Sequence, residues 1–104
     1  MITANTFRNS QWSIIDPVIE AQNARLPEGW IWECGGMSVR LHGPKGQAAW
    51  VEPDGQWIGY PPEYENGLGS EEYTGMLDDF ESALKHVTDM ALAFAKGDKN
   101  GHTD

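Results

Sequence analysis

Residues 30–60 constrain the fold more than any other stretch, because large apolar side chains recur there at every second position between three glycine-bearing turn signals. Alternation with a period of two marks a strand with one buried face. The turns, Gly35-Gly36, Gly43-Pro44-Lys45-Gly46 and Pro53-Asp54-Gly55, tolerate the positive or fixed φ that tight hairpins need. The stretch therefore reads as a four-stranded antiparallel meander, and it holds four of the five tryptophans. With two-residue loops at Gly35-Gly36, Pro44-Lys45 and Asp54-Gly55, Cys34 faces Met37, Trp32 faces Val39 and Trp30 faces Leu41. Ala48 then lies beside Leu41, Trp50 beside Val39 and Trp57 beside Glu52. This register predicts a core face of Trp30, Trp32, Cys34, Met37, Val39, Leu41, Ala48, Trp50 and Trp57, with Glu52 at its margin. The opposite face carries Ile31, Glu33, Ser38, Arg40, His42, Gln47, Ala49, Val51, Ile58 and Tyr60, a mixed set.

One strong helical period follows the meander. Met76, Leu77, Phe80, Ala83, Leu84, Val87, Met90, Ala91 and Phe94 recur at steps of three and four, which places them on one stripe of a helix. Ser70 or Thr74 suits its N-cap, Asp78 and Asp79 the positive end of its dipole, Lys96 the negative end and Gly97 its stop. Burial of one such large side chain contributes roughly 1.5–3 kcal/mol, so helix and tryptophan face stabilise each other. Earlier in the chain, Asp16-Pro17 reads as an N-cap followed by proline at the first helical position. A short helix over residues 18–25 then ends before Pro27, with Trp12, Ile14 and Ile15 tucked against the sheet. The expected fold is α+β: a four-stranded antiparallel sheet, a long C-terminal amphipathic helix packed on one face and a short N-terminal helix. A chain of 104 residues makes one domain, here with loose ends at 1–10 and 98–104.

Charge is distributed unevenly. Between Lys45 and Lys85 there is no lysine or arginine, yet Glu52, Asp54, Glu63, Glu65, Glu71, Glu72, Asp78, Asp79 and Glu81 all fall there. The seven remaining acids balance the seven bases, so this window carries the whole net charge of −9. It forms an acidic edge running from the third hairpin to the first turns of the last helix. Such a balance disfavours direct binding to nucleic acid or to an anionic membrane. The expected partner is a protein or ribonucleoprotein complex with a basic surface. Glu63, Glu65, Glu71, Glu72, Asp78, Asp79 and Glu81 supply the attraction, and Tyr64 and Tyr73 serve as aromatic anchors. Arg40, His42, Ile58 and Tyr60 on the mixed sheet face form a secondary interface. With neither a transmembrane run nor a basic-then-apolar start, the expected location is the cytoplasm, and the expected state is monomer or dimer.

Motifs that carry chemistry are not apparent. A phosphate-binding glycine loop, a Gly-x-Ser-x-Gly elbow and a His-Glu-x-x-His pair are all missing. His86 with Asp89, and Asp78 with Ser82 and His86, have helical spacing but sit on a solvent stripe where such spacings arise by chance. Asp98, Asn100 and Asp104 resemble a fragment of a calcium loop that lacks its bidentate glutamate. Cys34, the one cysteine, reads as a small buried thiol. No catalytic residue, metal ligand or cofactor is expected.

Two local patterns resemble WW domains and their ligands. Leu26-Pro27-x-Gly29-Trp30, followed by Trp50-x-x-Pro53, is similar to the opening and closing of a WW domain, with His42 near the place of that family's histidine. The resemblance implies a groove for proline-rich peptides, although Ser38-Val39 stand where the family has an aromatic pair. Pro61-Pro62-Glu63-Tyr64 is similar to the Pro-Pro-x-Tyr ligands of such domains. As a whole, a small acidic domain with a Gly29–Glu33 opening strand, a glycine-punctuated meander and one amphipathic helix resembles accessory proteins of bacteriophages and mobile elements, the anti-CRISPR proteins among them. That resemblance implies stoichiometric inhibition of a host defence complex in the cytoplasm of an infected or lysogenic bacterium, with carboxylates standing where phosphates would lie. The alternative is a structural or assembly component that self-associates through the exposed sheet face.

Overall fold

A computed structural model describes residues 1–103, with side chains through residue 97. The chain runs α1 (Ala4–Arg8), α2 (Trp12–Asn23), β1 (Ile31–Gly35), β2 (Ser38–His42), β3 (Ala48–Val51), β4 (Gln56–Gly59), β5 (Thr74–Met76) and α3 (Phe80–Thr103). The strands form one antiparallel sheet in chain order. Its buried side chains share one core with residues of all three helices. The fold is α+β, with a long C-terminal helix on a meander of five strands, not four.

The hairpins decide which side chain faces which way. In the first, Cys34 pairs with Val39 and Trp32 with Leu41, so the loop is Gly36-Met37, with Gly36 at φ 73°. This is two residues from the expected register. Because side-chain direction repeats every two residues, the faces are unchanged. The second and third hairpins instead close through three-residue loops. Gly43 N–H donates to Gln47 O (2.8 Å) and Glu52 N–H to Gln56 O (2.8 Å), while Gly46 and Gly55 take φ of 82° and 98°. Each is a turn followed by a glycine bulge, which adds one residue to the loop.

The first bulge turns β3 over and the second restores β4. Val39 pairs with Val51, Leu41 with Ala49 and Arg40 with Trp50; Val51 then pairs with Trp57. Ala49 and Val51, expected outside, are fully buried. Trp50, expected in the core, stands on the opposite face with Arg40 and Ile58.

The helix-covered face packs around two indoles. Trp32 and Trp57 are 2% and 1% exposed, beside fully buried Val39, Leu41, Phe80, Leu84 and Val87. Trp32 Nε1 donates to Thr88 Oγ1 (2.9 Å), and that hydroxyl donates to Leu84 O (2.8 Å). The one polar atom of a buried ring is thus satisfied. Trp30 meets Phe94 edge to face at 6.0 Å. Cys34 and Met37 are exposed, because they lie at the hairpin end, outside the helical cover.

Three further elements differ from expectation. Residues 74–76 form an edge strand, not a helical turn: Gly59 N–H donates to Tyr73 O (2.6 Å) and Leu77 N–H to Gly55 O (2.9 Å). Met76 is consequently 63% exposed. α3 begins only at Phe80, and it continues through Gly97 to Thr103, where a loose tail was expected; Asp104 lies outside the described residues. α2 begins at Trp12 and contains Pro17. Proline in a helix interior costs about 3 kcal/mol, offset here by burial of Ile15 and Ile19 on the other side of that helix. The lead that looked polar forms α1, whose Phe7 is 3% exposed and meets Phe80 edge-on at 5.4 Å.

The β1 edge is covered at Trp30 and Trp32. Trp32 N–H donates to Asn23 Oδ1 (2.7 Å) and Asn23 Nδ2 donates to Trp32 O (3.3 Å), while Trp30 N–H donates to Pro27 O (3.2 Å). Among the described residues no helix is long and apolar enough to cross a membrane. Thr88→Val, nearly isosteric, leaves the Trp32 N–H buried without an acceptor. The variant is expected to lose about 1–3 kcal/mol in chemical denaturation, whereas Lys96→Gln at an exposed position of α3 is expected to change stability by less than about 0.5 kcal/mol.

Candidate binding surface

The face of the sheet away from the helices is built by simple alternation. Glu33, Arg40, Trp50, Ile58 and Thr74 pair directly in succession across all five strands, so their side chains form one continuous row. Arg40 Cζ lies over the Trp50 ring, 5.0 Å from its centroid. Trp50 meets Tyr60 edge to face at 5.6 Å, and Tyr60 stacks on Tyr64 at 6.2 Å with their planes 13° apart. Ile58 in the row is 48% exposed, and beside the row Ile31 and Met76 are 47% and 63% exposed. His42 Nε2 lies 3.1 Å from Glu33 Oε1 at the β1 side. Ala48 is the buried member of this face, where its N–H donates to Asn66 O of the loop after β4 (3.4 Å).

An aromatic chain topped by a guanidinium and bordered by aliphatic side chains has the make-up of a protein interface, rich in tyrosine, tryptophan and arginine. The Arg40–Trp50 contact contributes about 0.5–1 kcal/mol at an exposed site; its larger effect is to hold both side chains in place. Arg40, His42, Ile58 and Tyr60, expected as a secondary interface, therefore come together on one face. Trp50, Ile31 and Met76 join them. The bulge at Gly46 was the sequence signal that places Trp50 here.

The acidic residues separate into two groups. Asp79 caps α3, its Oδ1 accepting from Ser82 N–H (2.8 Å); hydrogen bonds from Ser82 hold this carboxyl below the usual aspartate range. Glu81 is half-buried in the first turn, with Oε1 buried and unpaired among the described residues. Both belong to the architecture. Glu63, Glu65, Glu71, Glu72 and Asp78 remain exposed, as do Tyr64 and Tyr73. Tyr64 joins the aromatic chain, Glu71, Glu72 and Tyr73 precede β5, and Asp78 follows it. Glu72 Oε1 lies 3.6 Å from His86 Nε2.

The proposed acid–base pairings on α3 do not assemble. Asp89 is held by Arg25, in the turn just after α2, and by Lys85 Nζ at 3.0 Å. Burial raises its pKa, but the bonds from Arg25 and Lys85 outweigh burial and bring it below the usual value. His86 packs against Trp57, with ring centroids 5.0 Å apart. Asp78 lies before the helix begins. Although the residue is largely exposed, partial desolvation of the Cys34 thiol, with the charge of Asp16 adding to it, pushes its pKa up, which disfavours the thiolate. Among the described residues no three His, Cys, Asp or Glu side chains gather in one place. A groove of about 480 Å³ lies between residues 68–70 and α3, lined by Leu68, Met90, Ala93 and Phe94. Its lining contains no histidine or carboxylate.

Comparison with family models, with curated proteins and with solved structures finds no match.

The Asp89 cluster ties the turn after α2 to α3 and generates an acid dependence. A carboxyl whose folded pKa lies below its unfolded value stabilises fully above the unfolded value, and that contribution is lost as pH falls through the folded one. Thermal stability is therefore expected to decline below about pH 4. In Asp89→Asn the decline should be shallower and the pH 7 stability lower, checked by melting curves between about pH 2 and 7.

Proposed function

We propose that this chain is a non-enzymatic protein-binding domain that acts by stoichiometric association, with the outer sheet face as its principal contact. The observation that carries this reading is the outward-facing row through exposed Arg40, half-buried Trp50 and exposed Ile58, joined by half-buried Tyr60 and exposed Tyr64. Exposed apolar side chains standing singly need no explanation, but a contiguous set rimmed by polar residues marks an interaction surface. A second feature supports a protein partner: the exposed carboxylates Glu63, Glu65, Glu71, Glu72 and Asp78 lie on the chain segments beside this face. On this reading the partner presents an apolar patch next to a basic one. The resemblance to mobile-element inhibitors suggests a host nucleoprotein complex, whose phosphate-binding surface the carboxylates would occupy.

Self-association is the second reading, and the same exposed Ile31, Ile58 and Met76 favour it. Light scattering on the purified chain separates the two. A monomer that captures a partner from lysate, with capture lost about tenfold or more in Trp50→Ala and Arg40→Ala at unchanged melting temperature, supports the leading reading. A dimer dissolved by Trp50→Ala replaces it with self-association. Capture unaffected by both variants removes the outer face from consideration. Because the contact is largely apolar, raising salt should weaken capture only in proportion to the carboxylates engaged.

A further inference from the structure

The two edges of the sheet are treated differently. At β1, Asn23 takes both backbone groups of Trp32 and the turn at Pro27 takes the N–H of Trp30. At β5 the bonds Gly59 N–H to Tyr73 O and Leu77 N–H to Gly55 O, with Trp57 paired to Gly75, show that residues 73, 75 and 77 face β4. In an antiparallel ladder the intervening residues then point away from it. The N–H and C=O of Thr74 and of Met76 are directed outward, and among the described residues nothing bonds them. The Thr74 hydroxyl is turned inward, donating to Trp57 O (3.0 Å). Four outward backbone groups in register form a template for another strand.

The flanking charges select what that strand can be. Glu71 and Glu72 precede β5, and Asp78 and Asp79 follow it. If a second copy paired antiparallel about Gly75, Glu72 of each copy would approach Asp78 of the other, with Glu71 close by. Like charges directly opposite are destabilising, so the edge rejects itself. The exposed carboxylates Glu71, Glu72 and Asp78 favour lysine and arginine at both ends of an incoming segment. Between them, Met76 and Ile58 are 63% and 48% exposed on the outer side, offering contact to aliphatic side chains. Gly75 presents no side chain at the centre, and a Cβ there would lie 2.8 Å from Trp57 Nε1.

We propose that β5 is a strand-addition site for an extended segment of a partner protein, basic at both ends and aliphatic between, which joins the sheet as a sixth strand by bonding Thr74 and Met76. This goes beyond the outer-face reading, since it concerns a different surface and different variants, and either can fail alone.

The test uses the whole chain labelled with 15N and two synthetic peptides. One alternates valine and threonine between paired terminal lysines; the other has glutamate in place of lysine. The lysine peptide should slow hydrogen exchange at the Thr74 and Met76 amides about tenfold at saturation, and should bind more weakly as salt rises. The glutamate peptide should leave them unchanged. Met76→Pro removes one outward N–H at a position where an edge strand tolerates proline, and should weaken the lysine peptide about tenfold. If that variant does not fold, exchange in the unaltered chain decides. Three results overturn the proposal: amides unmoved at about 1 mM lysine peptide, equal binding of both peptides, or peptide-induced shifts confined to Arg40, Trp50 and Ile58. Protection of the same amides that rises with the chain's own concentration also overturns it, in favour of a second copy.

Discussion

Glycine at positive φ in the second and third hairpin loops, at Gly46 and Gly55, sets the direction of every side chain in β3. A loop of three residues instead of two inserts one position, and one position in a strand exchanges its faces. Ala49 and Val51 turn toward the helices, where their small and branched side chains fit beneath α3 between the indoles of Trp32 and Trp57. Trp50 turns away. A further large indole on the covered face would have to share the space that Phe80, Leu84 and Val87 occupy, and overpacking a dense core is itself destabilising. The outward tryptophan is therefore the counterpart of a well-packed inner face.

This exchange also marks how far the sequence could be read. Period-two alternation between glycine turns identified the meander, and period-3.6 spacing identified the helix on its tryptophan face. Both are long, repetitive signals. Loop length is not: Gly43-Pro44-Lys45-Gly46 fits a two-residue tip or a three-residue loop with a bulge, and the choice turns on the conformation of one glycine. The error passed silently through the first hairpin, where a shift of two preserves the faces, and surfaced in β3, where the shift was one. β5 escaped notice because three residues centred on Gly75 carry no period. Its Met76 happened to extend the apolar spacing of α3 backward. Pro17 misled in the other direction, since its usual place at a helix start pointed away from the true start at Trp12. Of the surface, Arg40, His42, Ile58 and Tyr60 were legible as one face, but Trp50 at its centre was not.

Net charge was read correctly as concentrated in one window, yet the structure assigns its members different work. Asp79 closes the first turn of α3 and Asp89, outside the window, holds the turn after α2 to α3 through Arg25 and pairs with Lys85 along α3. Carboxylates engaged in this way are already paired and have little left to offer a partner. Glu71, Glu72 and Asp78 have no such employment beyond a distant approach of Glu72 to His86. Proximity in sequence to β5 gives them a common setting that composition alone did not reveal.

The difference between the two sheet edges follows from what lies beside them. β1 runs next to α2, so a side chain from that helix, Asn23, reaches across and takes the free backbone of Trp32. Past β5 the chain makes only a short turn into α3, which packs on β3 and β4 and leaves no neighbouring element to cover the edge. A sheet of this kind must protect an open edge against copies of itself, and charge on either side of the strand does so without filling its hydrogen bonds. Protection by charge is selective in a way that protection by a covering side chain is not. It repels what carries the same sign and leaves the backbone of Thr74 and Met76 available to whatever carries the opposite one.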